Sequence, residues 1–365
     1  MKVLSVTSTF LPQVGGLERV VLELALRLRE HGVQTDVAHV APGLTGGTED
    51  MQAVRVTRVP MYGSRFVGWS PAIRSLARGY DLLHVHDPQV LAISSNVRWL
   101  CADIPAVLST HGGFWHTDKF SFLKSVFERT LLRRAVGHYG RVLASSVADL
   151  DYFQRYTDRV TLCSNGVDVR AFNAIPHGHG RNLRRWIYWG RLSSNKRIDL
   201  AIDYVAQARE RGHPVELLIC GRDFDGLMPA LSAQVQRLGL REAVRFETFL
   251  DDSALRTELS TRGLFITASE HEGFGLSIVE AMAAGLLVVC RDISPLNRFF
   301  AAGRSGWFLR FDGSPGDVQQ LDAMLSSDGE KVRLMSGAAR EAAMEYDWSL
   351  AAPRFLQQYR EALGQ

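Results

Sequence analysis

Short runs of β-branched and other apolar residues alternate along the chain with segments whose apolar positions recur every three or four residues. The first pattern is typical of buried parallel strands and the second of amphipathic helices. The strand-like runs are KVLSV, TDVAHV, DLLHVH, PAVLST and RVLASS in the first half, and WIYWGR, VELLICG, LFITAS and LLVVC in the second. This alternation predicts an α/β protein in which helices cover both faces of parallel sheets.

A polar, glycine-rich passage, RAFNAIPHGHGRNLRR, separates the two halves and has no hydrophobic period. The 365 residues are also too many for one ordinary core. We therefore predict two doubly wound, Rossmann-like domains at residues 1–172 and 186–347, joined by a linker at 173–185. The last segment, 348–365, has a helical pattern, and we expect it to return to the first domain.

Composition excludes several classes of protein. Hydrophobic residues make up 46% and charged residues 22% of the chain, so disorder is not expected. A net charge of +3 is too small to predict nucleic-acid binding. The four cysteines have no paired spacing and are interpreted as buried free thiols in a reducing compartment. The N-terminal run is interpreted as a strand rather than a signal peptide, and no apolar run approaches the ~20 residues of a membrane span.

Two glycines, Gly15 and Gly16, follow the first strand and precede a helix whose apolar residues recur from Leu17 to Leu28. The free N–H groups of a helix N-terminus suit a phosphate, and glycine allows the ligand to approach the backbone. Neither the dinucleotide pattern nor the P-loop pattern is present, which argues against NAD and simple NTPase functions. A tight turn without a ligand is the alternative interpretation.

The first strand of the second domain ends in WGRLSSNKRID. Arg191 at the carboxyl end of this strand and Lys196 five residues later can both point into a ligand crevice. A planar guanidinium and a compact ammonium suit the oxygens of a phosphate. An exposed basic loop is the alternative, but the position at a strand end favours an anion site.

The stretch SEHEGFGLSIVEAMAAG places Glu272 before a predicted helix and Glu280 on it, with the turn 273–275 between them. The two carboxylates should be roughly 8–12 Å apart, too far to share a proton but suited to two parts of one long ligand. Because carboxylates accept hydrogen bonds from sugar hydroxyls, a nucleotide sugar fits, with Glu272 at the sugar and Glu280 at the ribose. A helix-capping acid and a solvated acid are the alternative.

Four separated motifs resemble those of the retaining glycosyltransferases of the GT-B fold, family 4. They are the two glutamates with seven residues between them, the N-terminal glycine pair, the Arg/Lys pair and STHGG. More narrowly, STHGGFWHT, SEHEGFGLSIVEAMAAGL and DISPL are similar to the mannosyltransferases of xanthan- and acetan-type exopolysaccharide assembly. This resemblance implies two Rossmann-like domains that face a central cleft, GDP-mannose as the donor, and cellobiose on diphosphopolyprenol as the acceptor.

The resemblance also implies roles for individual residues. His111 is expected at the sugar and the reaction centre, Arg191 and Lys196 at the pyrophosphate, and Glu272 at the sugar hydroxyls; these four are the candidate catalytic residues. The candidate donor-binding residues are Gly15, Gly16, Arg191, Lys196, Gly221, Arg222, Glu272, Gly273, Phe274, Gly275, Leu276 and Glu280. Members of the family retain the anomeric configuration, so catalysis is mostly positioning and stabilisation of the departing negative charge.

We expect no metal and no other cofactor. His84, His86 and Asp87 in HVHD have no further ligand at a suitable spacing. Asp251 and Asp252 in LDDS are interpreted as the N-cap of a helix rather than as metal ligands.

Two stretches combine basic and aromatic residues, RVTRVPMYGSRFVGWSPAIR and the segment 119–141. The second holds six basic residues with one acid, and residues 1–172 hold 19 basic and 15 acidic side chains. Anionic lipid attracts such segments, although a solvated helix face is the alternative. The candidate membrane- or acceptor-facing residues are Trp115, Lys119, Lys124, Arg133 and Arg134. We expect a cytoplasmic protein attached peripherally to the inner-membrane surface, with no nucleic acid among its partners.

Other functions stay open at this point. A family 4 transferase could use UDP-glucose or UDP-GlcNAc and another acceptor. A nucleotide-sugar epimerase on the same architecture would act with no acceptor present, and a non-catalytic sugar-nucleotide-binding subunit would show no turnover.

Overall fold

The chain forms two compact units, Met1–Gly166 with Trp348–Gln365, and Val167–Asp347. They are seen in a computed structural model that describes residues 1–12, 15–64, 66–88, 90–112, 132–176 and 182–365. Each unit contains its own largely parallel sheet with helices between the strands. The prediction of two doubly wound α/β domains is confirmed.

The first unit is built on an eight-stranded sheet, as far as its described residues go. Its strands and those of a small ribbon are β1 (Lys2–Thr7), β2 (Gln34–Ala41), β3 (Gly47–Met51), β4 (Val54–Pro60), β5 (Tyr62–Gly63), β6 (Gly68–Trp69), β7 (Leu82–His86), β8 (Ala106–Ser109), β9 (Arg141–Ala144) and β10 (Val160–Leu162). The sheet order is β10-β9-β8-β7-β1-β2-β4-β3, with β5 and β6 paired separately. Among the described strands of this sheet, only β3 runs antiparallel to its neighbour. The strand order reverses between β1 and β7.

Helices connect these strands in the manner of doubly wound folds. They are α1 (Gly16–Glu30), α2 (Ala72–Ala77), α3 (Ala92–Leu100), α4 (Arg133–Val136) and α5 (Val147–Phe153). In α1 the residues Val20, Val21, Leu24, Ala25 and Leu28 are buried, as their helical spacing predicted. That apolar stripe packs α1 against the sheet and leaves its N-terminus near the carboxyl end of β1.

The second unit contains a six-stranded, fully parallel sheet in the order β13-β12-β11-β14-β15-β16. Its strands are β11 (Arg185–Trp189), β12 (Glu216–Cys220), β13 (Val244–Glu247), β14 (Leu264–Thr267), β15 (Leu287–Cys290) and β16 (Gly306–Phe308). Its helices are α6 (Val169–Asn173), α7 (Ile198–Glu210), α8 (Met228–Arg237), α9 (Asp252–Thr261), α10 (Leu276–Ala283), α11 (Pro315–Leu325) and α12 (Gly329–Ala343). The strand order reverses between β11 and β14.

The division between the units differs from the predicted one. It falls after Gly166 rather than after residue 172. Val167, Val169, Phe172 and Ile175 are buried in the hydrophobic core of the second unit. The polar composition around these residues concealed the four apolar anchors, of which Ile175 lies within the predicted linker, so the second unit begins before that linker. Residues 177–181 lie outside the described part of the chain.

The C-terminal helix, α13 (Trp348–Ala362), groups with the first unit. Trp348, Phe355 and Tyr359 are buried along it. A Cβ atom at Gly166 would lie 2.3 Å from the ring of Trp348, so glycine is needed where the helix packs. The Tyr359 hydroxyl lies 2.6 Å from Nδ1 of His84, which ties the helix to β7.

All four cysteines are buried and free, as predicted. Burial raises the pKa of the Cys163 thiol to about 12 and that of Cys290 well above its usual range. None of the described helices combines the length and the apolar character that crossing a membrane requires.

Candidate functional site

The carboxyl ends of β11 and β14 adjoin where the strand order of the second unit reverses. In doubly wound sheets ligands bind in the crevice at such a switch point. Arg191 and Lys196 follow β11, and Glu272 follows β14. The fold therefore brings these three predicted site residues to the same edge of the sheet.

Lys196 and Glu272 form a direct ion pair. Nζ of Lys196 lies 2.5 Å from Oε1 of Glu272, and the two side chains are only 14% and 10% exposed. The Ser269 hydroxyl donates to the same carboxylate oxygen at 2.9 Å. Because an ammonium group has three N–H donors, Lys196 can keep this contact and still donate to an anion. The sequence predicted a role for each residue but not their pairing.

Further hydrogen bonds join the loops that follow β11 and β14. The Asn195 side-chain amide donates to the carbonyl of His271 at 3.0 Å, and the Glu270 backbone N–H donates to the carbonyl of Asn195 at 2.8 Å. The Ser194 backbone N–H and hydroxyl both donate to Asp225 at 2.7 Å. The Asn195 contacts hold the loop that carries Lys196 against the loop that carries Glu272, and the Ser194 contacts hold it against the loop that follows β12.

Arg191 is exposed at the end of β11. Its guanidinium lies 5.0 Å from the centroid of the Phe224 ring, within the range of a cation–π contact. The Tyr188 hydroxyl donates to the Arg191 carbonyl at 2.8 Å and so holds the backbone. The cationic group is thus oriented by an aromatic face while it stays accessible to a ligand.

Gly221 follows β12 at the same edge of the sheet, beside the exposed Arg222. Its φ is +157°, and a Cβ atom at this position would lie 1.7 Å from the carbonyl oxygen of Gly190. Glycine is therefore required because the ends of β11 and β12 approach each other too closely for a side chain. The predicted importance of Gly221 has a packing reason of its own.

The turn before α10 has the predicted form. Gly275 occupies the N-cap with a φ of +95°, and Leu276 begins the helix. The Phe274 side chain is buried against the rings of Phe299 and Tyr346 at 5.4 and 5.8 Å. A ligand at this helix N-terminus would therefore meet the backbone of the turn rather than the Phe274 ring.

Glu280 is buried on α10, with an exposure of 5%. Its Oε2 accepts a hydrogen bond from Nε1 of Trp189 at 3.0 Å. The alternative interpretation of Glu280 as a solvated acid is wrong. A buried carboxylate is tolerated when hydrogen bonds satisfy it, and Trp189 at the end of β11 provides one of them.

In the first unit, α1 begins at Gly16 with Gly15 at its N-cap, as predicted. The Glu18 carboxylate lies at this end of the helix, because a Cβ atom on Gly15 would be 2.5 Å from its Oε2. The helix dipole favours a negative group at this position. Any phosphate bound here would have to share the helix N-terminus with Glu18.

His111 follows β8 with a φ of +51°, a left-handed conformation that is uncommon outside glycine. The Asp149 carboxylate holds this turn in place through three hydrogen bonds. Its Oδ2 accepts from the Thr110 hydroxyl at 2.5 Å, the Gly112 backbone N–H at 2.8 Å and the Ser145 hydroxyl at 3.0 Å. Such a conformation, held in place by buried hydrogen bonds, is often found at functional sites.

Three histidines lie together at the carboxyl ends of β7 and β8. Nδ1 of His86 is 2.8 Å from Nε2 of His111, and the rings of His84 and His86 are 3.9 Å apart between centroids. Nε2 of His84 contacts the Ser109 hydroxyl at 2.7 Å. Burial lowers the pKa of His111 to about 4 and the pKa values of His84 and His86 well below their usual range. All three imidazoles are therefore neutral at pH 7.

The residues considered for a metal have other partners. Asp251 accepts a hydrogen bond from the Ala254 backbone N–H, so its predicted role as the N-cap of α9 is confirmed. The Asp87 carboxylate accepts from the Leu91 backbone N–H and from the hydroxyl and N–H of Ser94. Within the described ranges, no three histidine, cysteine or acidic side chains are grouped as a metal site would require.

Comparison with known proteins also divides the chain into two parts, with the boundary at residue 171. Residues 14–171 match the family Glycosyltransferase Family 4, and residues 171–342 match Glycosyl transferases group 1. The GDP-mannose:cellobiosyl-diphosphopolyprenol alpha-mannosyltransferase of Xanthomonas campestris is 30% identical over 100% of this chain and 98% of its own. The chain is a family 4 glycosyltransferase. The enzyme of the same name from Komagataeibacter xylinus is 28% identical over 100% of this chain and 94% of its own.

The glycosyltransferase also resembles solved structures of its class. Sucrose-phosphate synthase from Thermosynechococcus elongatus superposes with a TM-score of 0.79, covering 100% of both chains at 18% identity. This likeness concerns the fold, and the predicted GT-B class is confirmed.

Several residues that shape the glycosyltransferase site were not among the predicted ones. They are Trp189, Ser269, Asn195, Asp149 and His86. Only His86 had a signal in the sequence, the HVHD motif, and that motif was weighed for a metal. The others act through contacts between segments far apart in the chain, which a local pattern does not display.

The residues predicted to face a membrane are only partly described. Trp115, Lys119 and Lys124 lie outside the described residues. Arg133 and Arg134 are exposed on α4. In the other basic-aromatic stretch, Tyr62 and Trp69 of the β5–β6 ribbon are exposed.

The low pKa of His111 predicts a proton uptake on unfolding. The pKa is about 4 in the folded enzyme and 6.5 in an unperturbed histidine, so between these values only the unfolded state binds the proton. Stability must therefore fall as the pH is lowered from about 6.5 to 4, by up to about 1.4 kcal/mol per pH unit for this residue. Unfolding His111→Asn in unbuffered urea near pH 5 should take up about one proton fewer than the wild type. An equal uptake would contradict the low pKa of His111 in the folded enzyme, and above about pH 7 the proton uptake of the two proteins should not differ.

Proposed function

We propose that this glycosyltransferase is a retaining α-mannosyltransferase that moves mannose from GDP-mannose to an oligosaccharide on diphosphopolyprenol, in the assembly of an exopolysaccharide. The end-to-end match to relatives named for that reaction carries the proposal. The arrangement of Arg191, Lys196 and Glu272 at the switch point of the second unit supports it, because a nucleotide sugar needs both cationic and carboxylate contacts.

In this proposal, the second unit holds the donor. Arg191 and Lys196 donate to the pyrophosphate, and the N–H groups at the start of α10 support it as negative charge develops on the leaving oxygen. Glu272 accepts from the sugar hydroxyls and Glu280 from the ribose. Since Lys196 contacts Glu272 directly, one ion pair would connect the leaving group to the sugar it departs from.

The reaction itself needs little covalent chemistry from the protein. The acceptor hydroxyl attacks the anomeric carbon from the face that the phosphate leaves, and the leaving oxygen takes the proton of that hydroxyl. The chain's side chains position the reactants and stabilise the departing charge. His111 is assigned to the reaction centre as a neutral imidazole, in keeping with its low pKa.

The donor and the acceptor can be tested together. GDP-mannose, UDP-glucose and UDP-GlcNAc would each be offered with cellobiosyl-diphosphopolyprenol, and the lipid-linked product would be analysed by mass. We expect a trisaccharide from GDP-mannose, with an α-linkage visible by NMR. Transfer from a UDP-sugar instead would overturn the donor, and conversion of the nucleotide sugar with no acceptor present would favour an epimerase.

Removal of either predicted phosphate contact should slow transfer strongly. Arg191→Ala and Lys196→Ala should each lower kcat about 10²–10³-fold, by analogy with the loss of one donor from an oxyanion hole. Arg211→Ala is the matched control, because Arg211 is an exposed arginine of the same unit that pairs with Asp322. Circular dichroism would verify that the variants fold. Near-normal turnover in either test variant would remove the pyrophosphate assignment.

We also propose that transfer requires no divalent metal. Cationic side chains and helix N-termini would supply the positive charge that a metal ion supplies in other transferases. Activity should therefore be unchanged after dialysis against EDTA. Loss of activity that Mn²⁺ or Mg²⁺ restores would contradict this proposal.

The proposed acceptor carries a lipid, so we propose that the first unit contacts the inner-membrane surface. The exposed Arg133 shares the lining of an open cavity with Arg155 and Arg159, a setting suited to anionic headgroups. Each basic residue near an anionic bilayer contributes about 1 kcal/mol to the attraction. Of this lining, Arg133 and Gly137 lie in the described part of the predicted segment 119–141, and Arg155 and Arg159 follow it in the chain.

Charge reversal tests the membrane contact. Arg133→Glu with Arg134→Glu should weaken binding to anionic liposomes at least about tenfold, since attraction becomes repulsion at two positions. Transfer to the lipid acceptor should slow, while transfer to a short water-soluble acceptor should be spared. Arg237→Glu with Arg241→Glu makes the same change of charge in the second unit and should leave liposome binding intact. Unchanged liposome binding in the first variant would place the contact elsewhere.

A further inference from the structure

The three clustered histidines differ in how their ring nitrogens are satisfied. Both ring nitrogens of His84 have hydroxyl partners, Ser109 at 2.7 Å and Tyr359 at 2.6 Å. A hydroxyl can donate or accept, so either neutral tautomer of His84 is satisfied. His86 has one partner, His111, and its Nε2 is buried without a hydrogen bond among the described residues.

This difference restricts the protons of the His86–His111 pair. A neutral imidazole has one N–H donor and one acceptor nitrogen, so one ring must donate across the 2.8 Å contact between Nδ1 of His86 and Nε2 of His111. If His111 donated, His86 would carry its proton on the unpartnered Nε2. If His86 donates, only an acceptor nitrogen is left unsatisfied at that position. Orphaned buried N–H groups are the rarer defect in proteins.

We propose that His86 is a positioning residue that donates from Nδ1 to Nε2 of His111 and so fixes His111 as the Nδ1–H tautomer. The hydrogen bond also sets the plane of the His111 ring. The Nδ1–H group of His111 would then donate a hydrogen bond to a sugar or phosphate oxygen of the nucleotide sugar, rather than accept one from it. This role rests on the proposed function, which places His111 at the reaction centre.

Two features of the surroundings support the assignment. The Asp149 hydrogen bonds hold the backbone of the turn, whereas the contact with His86 is made to the imidazole ring of His111 itself. His86 is fully buried, so water does not compete for the bond. Burial also keeps both imidazoles neutral, and only neutral rings have tautomers to select.

The proton positions can be read directly by NMR on the free enzyme. With ¹⁵N-labelled histidine, a protonated ring nitrogen and an unprotonated one resonate at well-separated shifts, and His111→Asn identifies the His111 signals by their loss. We expect Nδ1 of His111 to be protonated and Nε2 to be unprotonated. A proton on Nε2 of His111 in the wild type would overturn the proposal.

Three variants separate the hydrogen bond from general packing. His86→Asn places an amide donor near the original Nδ1, His86→Leu removes the donor, and Tyr359→Phe removes another hydrogen bond from the same cluster. His86→Leu should release the tautomer of His111 and lower kcat about 10–100-fold, by analogy with the loss of a group that orients a metal-binding histidine. His86→Asn should keep the wild-type tautomer and most of the activity. Tyr359→Phe should keep the wild-type tautomer of His111 and the wild-type activity, even if it lowers the thermal stability.

The two readouts distinguish failure of this proposal from failure of the proposed function. The NMR signals of His111 are measured without donor or acceptor, so they report on His86 even if mannose is not the sugar transferred. Absence of mannosyl transfer in the wild type would contradict the function alone. Retention of the wild-type tautomer and kcat in His86→Leu would contradict the role of His86, as would an equal loss in His86→Asn and His86→Leu.

Discussion

Parallel pairing of β11 with β14 is the constraint on which the candidate donor site depends. The register aligns Trp186 with Leu264 and Ile187 with Phe265, although the two strands are far apart along the chain. All later contacts of the site follow from this pairing, because it places the loops after the two strands side by side. The Lys196–Glu272 ion pair and the bonds of Asn195 then hold those loops together.

The site residues of the two units have opposite electrostatic characters. In the second unit, Lys196 neutralises Glu272 at short range, so a charged pair is kept where a charged ligand is expected. In the first unit, burial removes charge from His84, His86 and His111, and hydrogen bonds between neutral groups remain. Charged groups suit the binding of a diphosphate, whereas a neutral imidazole can donate a hydrogen bond to a substrate oxygen while it carries no formal charge itself.

Glycines at the site serve the packing of the sheet as well as any ligand. Gly221 is required by the carbonyl of Gly190, and Gly275 caps α10 in a left-handed conformation. The same positions leave backbone without side chains at the edge where a ligand would bind. A substitution there would therefore disturb the fold and the site together, and activity alone would not separate the two effects.

Local sequence patterns by themselves determined the class of fold, the strands and helices that border the site, and the residue types that suit a nucleotide sugar. This succeeded because hydrophobic periodicity and glycine turns act over a few neighbouring residues. The boundary at Gly166, the partner of Glu280, the pairing of Lys196 with Glu272 and the contact of His86 with His111 were decided only by the tertiary structure. Each of these features depends on which distant segments become neighbours and on how deeply a side chain is buried. Local sequence patterns do not predict either property.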